Sequence, residues 1–226
     1  MAMRRIAIIL GTVLLGTTLY VGWINRDSMD MTTRQKLLRA FYPVFTGLQR
    51  LFGGNTQVHQ PGKPVAAPQS FYALSLKMID GSTRSMADFK GKKILLVNTA
   101  SDCGYTAQYA DLQALHERMG EKLVIIGVPA NDFKEQEKGD DASIAAFCKR
   151  NYGVSFPIAS KVSVVKGASQ DPVFQWLSNP ALNGWNDRAP SWNFMKYLVD
   201  ETGNLRAVVE PAVNPAGDLV QGLLIP

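Results

Sequence analysis

Cysteine and histidine are scarce in this chain of 226 residues, which has two of each. Two cysteines cannot form a disulfide-dense scaffold, and the spacing of Cys103, Cys148, His59 and His116 does not match a zinc site. The chain also has no glycine-rich phosphate loop and no C-x-x-C pair. These absences argue against a zinc protein, a nucleotide-binding enzyme and a dithiol oxidoreductase.

Positive charge is concentrated at one end of the chain. The formal net charge is +5, yet residues 1–70 hold eight Lys or Arg and two Asp or Glu. The remaining residues are close to neutral, so the basic excess does not belong to the globular part. Binding to nucleic acid therefore loses its main support.

A long apolar run follows Arg4 and Arg5 at the N-terminus. Residues 6–23 carry no charge, and about 18–20 helical residues span a bilayer core. No A-x-A cleavage site follows the run. We therefore predict an uncleaved signal anchor over residues 1–30: one transmembrane helix with the following domain on the extracytoplasmic side. Secretion after signal cleavage is the alternative.

Residues 31–70 are predicted to be an amphipathic segment followed by a linker. Within 33–52, apolar residues recur at helical intervals, although Pro43 would bend or break a helix. Two alternatives stay open for this segment, a position on the membrane surface and packing on the domain. The following residues are rich in Gly, Pro and Gln, which is typical of a linker.

Strand and helix patterns alternate through the globular domain, residues 71–226. The runs 92–100 and 122–130 are short, apolar and β-rich, with a helical pattern over 110–120 between them. Such a βαβ unit predicts parallel strands. The later patterns predict helices over 140–153 and 171–179, a hairpin over 194–210 and a short C-terminal helix. Together they predict an α/β fold with a central mixed β-sheet flanked by helices.

Cys103 lies where the first strand ends and the next helix begins. A helix N-terminus presents unpaired N–H groups and partial positive charge, both of which stabilise a thiolate. From position alone, we expect either a reactive thiol or a small apolar residue that fills the junction.

Four ordered segments resemble motifs of the glutathione peroxidase family. GKKILLVNTASDCGYT, up to Thr106, resembles the motif that carries the reactive selenocysteine or cysteine. LVIIGVPANDFKEQEKG (123–139) and SWNFMKYLVDETG (191–203) are similar to the family's second and third motifs. FCKRNYGVSFPI (147–158) is similar to the segment that carries a second cysteine in thioredoxin-dependent members.

The resemblance implies a thioredoxin-like fold and reduction of hydrogen peroxide and organic or lipid hydroperoxides. It implies Cys103 as the peroxidatic nucleophile, completed by Gln136, Trp192 and Asn193, and Cys148 as the resolving cysteine. The implied cycle runs through a sulfenic acid and a disulfide and uses a thioredoxin-like reductant, with no metal, haem or flavin. Without the resemblance, the three partners could be a loop residue, a core aromatic and a turn residue.

Three alternatives stay open for the function and the partners. Glutathione could reduce the sulfenic acid directly in a one-cysteine cycle, although no arginine cluster suited to its carboxylates is evident. The protein could instead be a membrane-tethered redox sensor or thiol–disulfide relay. The stretch between Trp176 and Trp192 is short and lacks the long insertion that tetrameric members of that family use to assemble, so the resemblance implies a monomer or weak dimer.

Overall fold

The computed structural model describes residues 2–52 and 57–224. The helices are α1 (Ala2–Ile24), α2 (Thr33–Phe52), α3 (Gln108–Met119), α4 (Asp141–Tyr152), α5 (Pro172–Leu177), α6 (Pro180–Asn183) and α7 (Asp218–Leu224). The strands are β1 (Val58–His59), β2 (Ser75–Lys77), β3 (Thr83–Ser85), β4 (Lys93–Thr99), β5 (Leu123–Pro129), β6 (Lys196–Val199) and β7 (Leu205–Val209).

The central sheet is mixed, as predicted, and has the order β1-β7-β6-β4-β5. Strand β4 pairs in parallel with β5, while β6 is antiparallel to β4 and β7 is antiparallel to β6. Strands β2 and β3 form a separate two-stranded sheet. The parallel pair and the antiparallel pairing of β6 with β7 confirm the predicted βαβ unit and the predicted hairpin over 194–210.

Two apolar layers cover the central sheet because successive side chains of a strand point to opposite faces. On β4, Leu95 and Val97 join one buried cluster together with residues of α3 and α4. Ile94 and Leu96 join the other cluster, which includes side chains of α5. A strand buried on both faces needs the nearly continuous apolar sequence that β4 has.

Side-chain caps position α4 and α5. The Asp140 carboxylate accepts from Ser143 N at the start of α4, and Gly153 ends the helix with a left-handed φ of 64°. The Asp171 carboxylate accepts from Val173 N at the start of α5. Side-chain acceptors at these positions satisfy N–H groups that have no partner within the helix.

The N-terminal helices form a hairpin in which α2 packs on the domain. Tyr20 Oη donates to Ala40 O at 3.0 Å, and Asn25 Nδ2 donates to Lys36 O at 3.0 Å. Pro43 was predicted to bend or break the helix, and it lies inside α2 without ending it. Helix α2 also contacts the domain, since Gln35 Nε2 donates to Ser101 O at 3.0 Å and Tyr105 Oη donates to Gln49 Oε1 at 2.8 Å.

The predicted transmembrane helix is not supported. A helix does form over the apolar run as α1. However, no helix in the described part of the chain is both long and apolar enough to cross a lipid bilayer.

The predicted linker contributes a strand that the sequence pattern did not indicate. Residues 53–56 lie outside the described residues, but Val58 and His59 pair with Val209 and Val208 at the edge of the central sheet. The Gly-, Pro- and Gln-rich composition of residues 53–70 gives no indication of this short antiparallel pairing, whose partner strand lies about 150 residues away along the chain.

Candidate active site

Cys103 lies in the turn between the end of β4 and the start of α3. Thr106 holds this turn, since its hydroxyl accepts from Cys103 N at 3.0 Å and lies within hydrogen-bonding distance of Ala100 O at 2.9 Å. The Cys103 thiol is free and its side chain is 1% exposed. The structure therefore places Cys103 at the predicted strand–helix connection, deep in an apolar cluster.

The expectation that a helix N-terminus lowers the pKa of Cys103 is wrong for this state of the protein. Helix α3 begins only at Gln108, so its unpaired N–H groups do not lie at Cys103. Burial raises the pKa of the Cys103 thiol to about 11, although hydrogen bonds from Tyr105 N and the Trp192 side chain and the charge of Arg34 lower it. Loss of solvation is the larger effect because an apolar environment disfavours the charged form.

Gln136, Trp192 and Asn193 are brought together as the resemblance implied. Asn193 is fully buried, and its Nδ2 donates to Gln136 Oε1 at 3.1 Å. The backbone N–H of Asp102 donates to Gln136 O at 3.0 Å, which ties the Gln136 loop to the Cys103 turn. Trp192 is partly buried, and its interaction with Cys103 is one of the effects that lower the thiol pKa.

Asn98 organises this cluster, and our sequence analysis did not single it out. From the end of β4, its Nδ2 donates to Trp192 O at 3.1 Å and to Asn193 Oδ1 at 3.2 Å. Its Oδ1 accepts from Met195 N at 3.0 Å. The sequence did contain a signal for Asn98: it is a polar amide within an apolar strand, and a buried amide requires hydrogen-bond partners.

The loop that carries Gln136 has an unusual backbone. Lys134 and Glu135 both have φ of 51°, a left-handed value that is uncommon outside glycine. Lys134 Nζ lies 5.7 Å from the centroid of the Trp192 ring, and Phe133 packs on the same ring at 5.5 Å. Backbone strain of this kind persists where surrounding contacts hold it, and here those contacts lie at the site.

Cys148 is placed on α4, where it is fully buried and free. It belongs to the same apolar cluster as Cys103. Burial raises the pKa of its thiol to about 12, whereas the Tyr109 side chain lowers it. Both cysteines are therefore protonated at neutral pH in the reduced structure.

Glu137 is a second residue that our sequence analysis assigned no role. Its side chain is 1% exposed, and Ser101 Oγ donates to its Oε2 at 3.0 Å. Burial raises the pKa of the Glu137 carboxyl to about 7, although the bonds from Ser101 and the charge of Lys161 lower it. A titratable group thus contacts the turn two residues before Cys103.

The groups that the site offers are a thiol, two side-chain amides and an indole. Within residues 2–52 and 57–224, no group of three or more His, Cys, Asp or Glu residues lies together as a metal site would require. The arrangement offers a sulfur nucleophile and amide and indole donors around it. This combination suits a reaction in which sulfur attacks and a departing oxygen is stabilised.

Comparison with known proteins identifies relatives of the domain that holds this site. The glutathione peroxidase family profile matches residues 71–178. A glutathione peroxidase homolog, BsaA of Halalkalibacterium halodurans, is 42% identical over 147 residues, which are 65% of this chain and 92% of that protein. A hydroperoxy fatty acid reductase, gpx1 of Synechocystis sp., is 42% identical over 147 residues, which are 62% of this chain and 85% of that protein.

Solved structures agree with this similarity. The crystal structure of Trgpx in apo form aligns with 70% of this chain and 94% of its own, with a TM-score of 0.54 and 27% identity. Together with similarity to thioredoxin-family structures of lower identity, this shows that the fold is thioredoxin-like.

Proposed function

Because the chain belongs to the glutathione peroxidase family and is a cysteine-dependent hydroperoxide reductase, we propose that Cys103 is its peroxidatic residue. The convergence of Gln136, Trp192 and Asn193 on the Cys103 turn carries this proposal. A member of this family uses no metal, haem or flavin, so the electrons come from an external thiol.

The first step oxidises Cys103. Its thiolate attacks one oxygen of the hydroperoxide, the O–O bond breaks, and the other oxygen leaves as an alkoxide. The thiol proton ends on that alkoxide, so Cys103–SH and ROOH give Cys103–SOH and ROH. Because the pKa of the buried thiol is about 11, only a small fraction of Cys103 is thiolate at neutral pH in the closed site.

The amide groups are suited to stabilise the departing oxygen. Gln136 accepts from Asn193 through Oε1. No described residue accepts a hydrogen bond from Gln136 Nε2, so its hydrogens can serve a peroxide oxygen. The Trp192 interaction favours the charged sulfur. Donors that are already oriented need no rearrangement when negative charge develops.

Cys148 is proposed to resolve the sulfenic acid. Its thiol would attack the Cys103 sulfur, forming the disulfide and releasing water. A disulfide requires the two Cα atoms within about 7 Å, and both side chains are buried in the reduced protein. A dithiol reductant of the thioredoxin type would then donate two electrons and two protons, which restores both thiols.

Mass spectrometry after one equivalent of hydrogen peroxide tests the cycle. We expect an intramolecular Cys103–Cys148 disulfide, and turnover that is supported by thioredoxin more strongly than by glutathione. A persistent sulfenic acid without the disulfide would favour the glutathione-dependent one-cysteine cycle. Fast oxidation of Cys103 with slow turnover under both reductants would favour a redox sensor.

Location and assembly are also proposals. We propose that the catalytic domain, residues 71–226, lies on the extracytoplasmic side, since Arg4 and Arg5 precede an apolar run. Protease accessibility of a C-terminal tag in intact spheroplasts tests this. We further propose a monomer or weak dimer, which light scattering at several concentrations tests.

A further inference from the structure

The start of α2 is bonded to the turn that carries Cys103. Arg34 Nη1 donates to Asp102 O at 2.8 Å and also pairs with the Asp102 carboxylate. Gln35 Nε2 donates to Ser101 O at 3.0 Å. The two residues that precede Cys103 are thus held by consecutive side chains of one helix.

The second half of α2 holds the residues that follow Cys103. The Phe45 ring packs on Tyr105 with centroids 5.4 Å apart, and a Cβ on Gly104 would meet Phe45 at 3.8 Å. Tyr105 Oη donates to Gln49 Oε1 at 2.8 Å. Tyr42, in the middle of α2, is buried in the same cluster as Cys103. Helix α2 therefore contacts the residues on both sides of Cys103 in the turn.

The residues just before α2, together with Arg39 within it, contact the last turn of α4, the helix that carries Cys148. Met29 N donates to Asn151 Oδ1 at 2.8 Å, and Arg150 Nη1 donates to Asp30 Oδ2 at 2.7 Å. The Arg39 guanidinium lies 5.2 Å from the centroid of the Tyr152 ring. One segment, residues 29–49, therefore contacts both cysteine-bearing elements; we name it the clamp.

The clamp lies outside the matched family region, residues 71–178. With the clamp in this position, Cys103 is 1% exposed and Cys148 is fully buried. A hydroperoxide must reach the sulfur of Cys103, and the disulfide must join side chains on the two elements that the clamp contacts. Because Cys103 is covered, access of a hydroperoxide to its sulfur requires displacement of elements to which the clamp is bonded.

We propose that the clamp is an autoinhibitory device that holds the reduced site closed and is released when the two cysteines join. This inference rests on the proposed two-cysteine cycle. Coupling between two conformational events is reciprocal. A clamp that disfavours displacement of the Cys103 turn and α4 is itself loosened once the disulfide displaces them. The clamp thus links the redox state of the site to the position of α2.

Alkylation by iodoacetamide tests the closed state without relying on peroxidase activity. In a Cys148→Ser background, Gln35→Ala/Phe45→Ala/Gln49→Ala removes contacts to the turn but retains Arg34, whose charge lowers the pKa of Cys103. We expect alkylation of Cys103 at pH 8 to become about tenfold faster because two hydrogen bonds to the turn and one packed ring are lost, together with the bond that Thr32 N donates to Gln35 Oε1. The matched control is Val44→Ala/Leu48→Ala, whose side chains are 56% and 48% exposed, and its rate should equal that of the parent.

Hydrogen exchange of the full-length, unsubstituted protein tests release and does not depend on how the variants fold. We expect amides of α2 to exchange faster in the disulfide form than in the reduced form, with β4 and β5 unchanged. Equal α2 exchange in the two forms, or equal alkylation of the clamp variant and the control, would overturn the proposal. A protein that iodoacetamide alkylates but no hydroperoxide oxidises would refute the proposed function instead.

Discussion

Ionisation of Glu137 is predicted to destabilise the folded protein at neutral pH, and Glu137→Gln should remove that cost. The side chain is 1% exposed, and burial raises the pKa of its carboxyl from 4.5 to about 7. Glutamine has nearly the same shape and keeps an oxygen that can accept from Ser101. The substitution therefore mimics the protonated carboxyl while removing its titration.

The magnitude follows from the difference between the folded and unfolded states. Each pKa unit corresponds to about 1.4 kcal/mol, so a shift from 4.5 to about 7 amounts to about 3 kcal/mol. Because the folded pKa is the higher one, the stabilising contribution is complete below pH 4.5. It is lost as pH rises through about 7, since the folded state binds more protons across that window.

Urea denaturation between pH 4 and pH 8.5, under reducing conditions, measures this effect. The free energy of unfolding of Glu137→Gln minus that of the parent should be near zero at the acidic end. It should rise by about 3 kcal/mol and level off above pH 7.

Glu135→Gln is the matched control because the side chain of Glu135 is 72% exposed and its ion pair with Lys138 lies on the surface. Exposed pairs of this kind contribute little to stability, so the control should follow the parent at every pH. A Glu137→Gln difference that does not change with pH would refute the reasoning.

Three further predictions concern the cysteines and Asn98. In Cys148→Ser, alkylation of Cys103 should rise about tenfold per pH unit between pH 7 and pH 9, since the thiol pKa is about 11; a plateau near pH 7 would contradict this. Cys148→Ser should leave the rate of the first Cys103 oxidation by peroxide within about twofold but reduce thioredoxin-coupled turnover at least about tenfold. Unchanged turnover in stopped-flow and coupled assays would show that Cys148 does not resolve the sulfenic acid. Asn98→Ala should cost about 2–4 kcal/mol in urea denaturation because it leaves buried polar groups of Trp192, Asn193 and Met195 unpaired. A loss below about 1 kcal/mol would mean that water or rearrangement replaces those bonds.

Local chemistry made most of the domain predictable from its sequence. Strand β4 is recognisable because a strand buried on both faces must be apolar throughout. Helix α4 is recognisable because Asp140 can accept from an N–H group at its start and Gly153 can adopt the left-handed backbone conformation that ends it. Each of these signals depends on neighbours within a few residues. The motifs around Cys103 and Asn193 likewise place these proposed site residues close to the ends of predictable elements, whereas Gln136 lies in the loop between β5 and α4.

Long-range packing decided the remaining features. The pairing of β1 with β7 and the contacts of α2 with Ser101 and Tyr105 join segments far apart in the chain, so no local pattern indicates them. The hydrogen bonds of the Asn98 side-chain amide likewise depend on residues about a hundred positions away along the chain.

The sequence by itself determined which residue types are present for peroxide chemistry and on which elements they lie. Only the tertiary structure decided the pKa of the Cys103 thiol. Position at a strand–helix connection predicted a lowered pKa for Cys103, yet the pKa is raised to about 11 because burial is the largest effect on it. Burial depends on everything that packs around the sulfur, including α2, and that is a property of the folded chain.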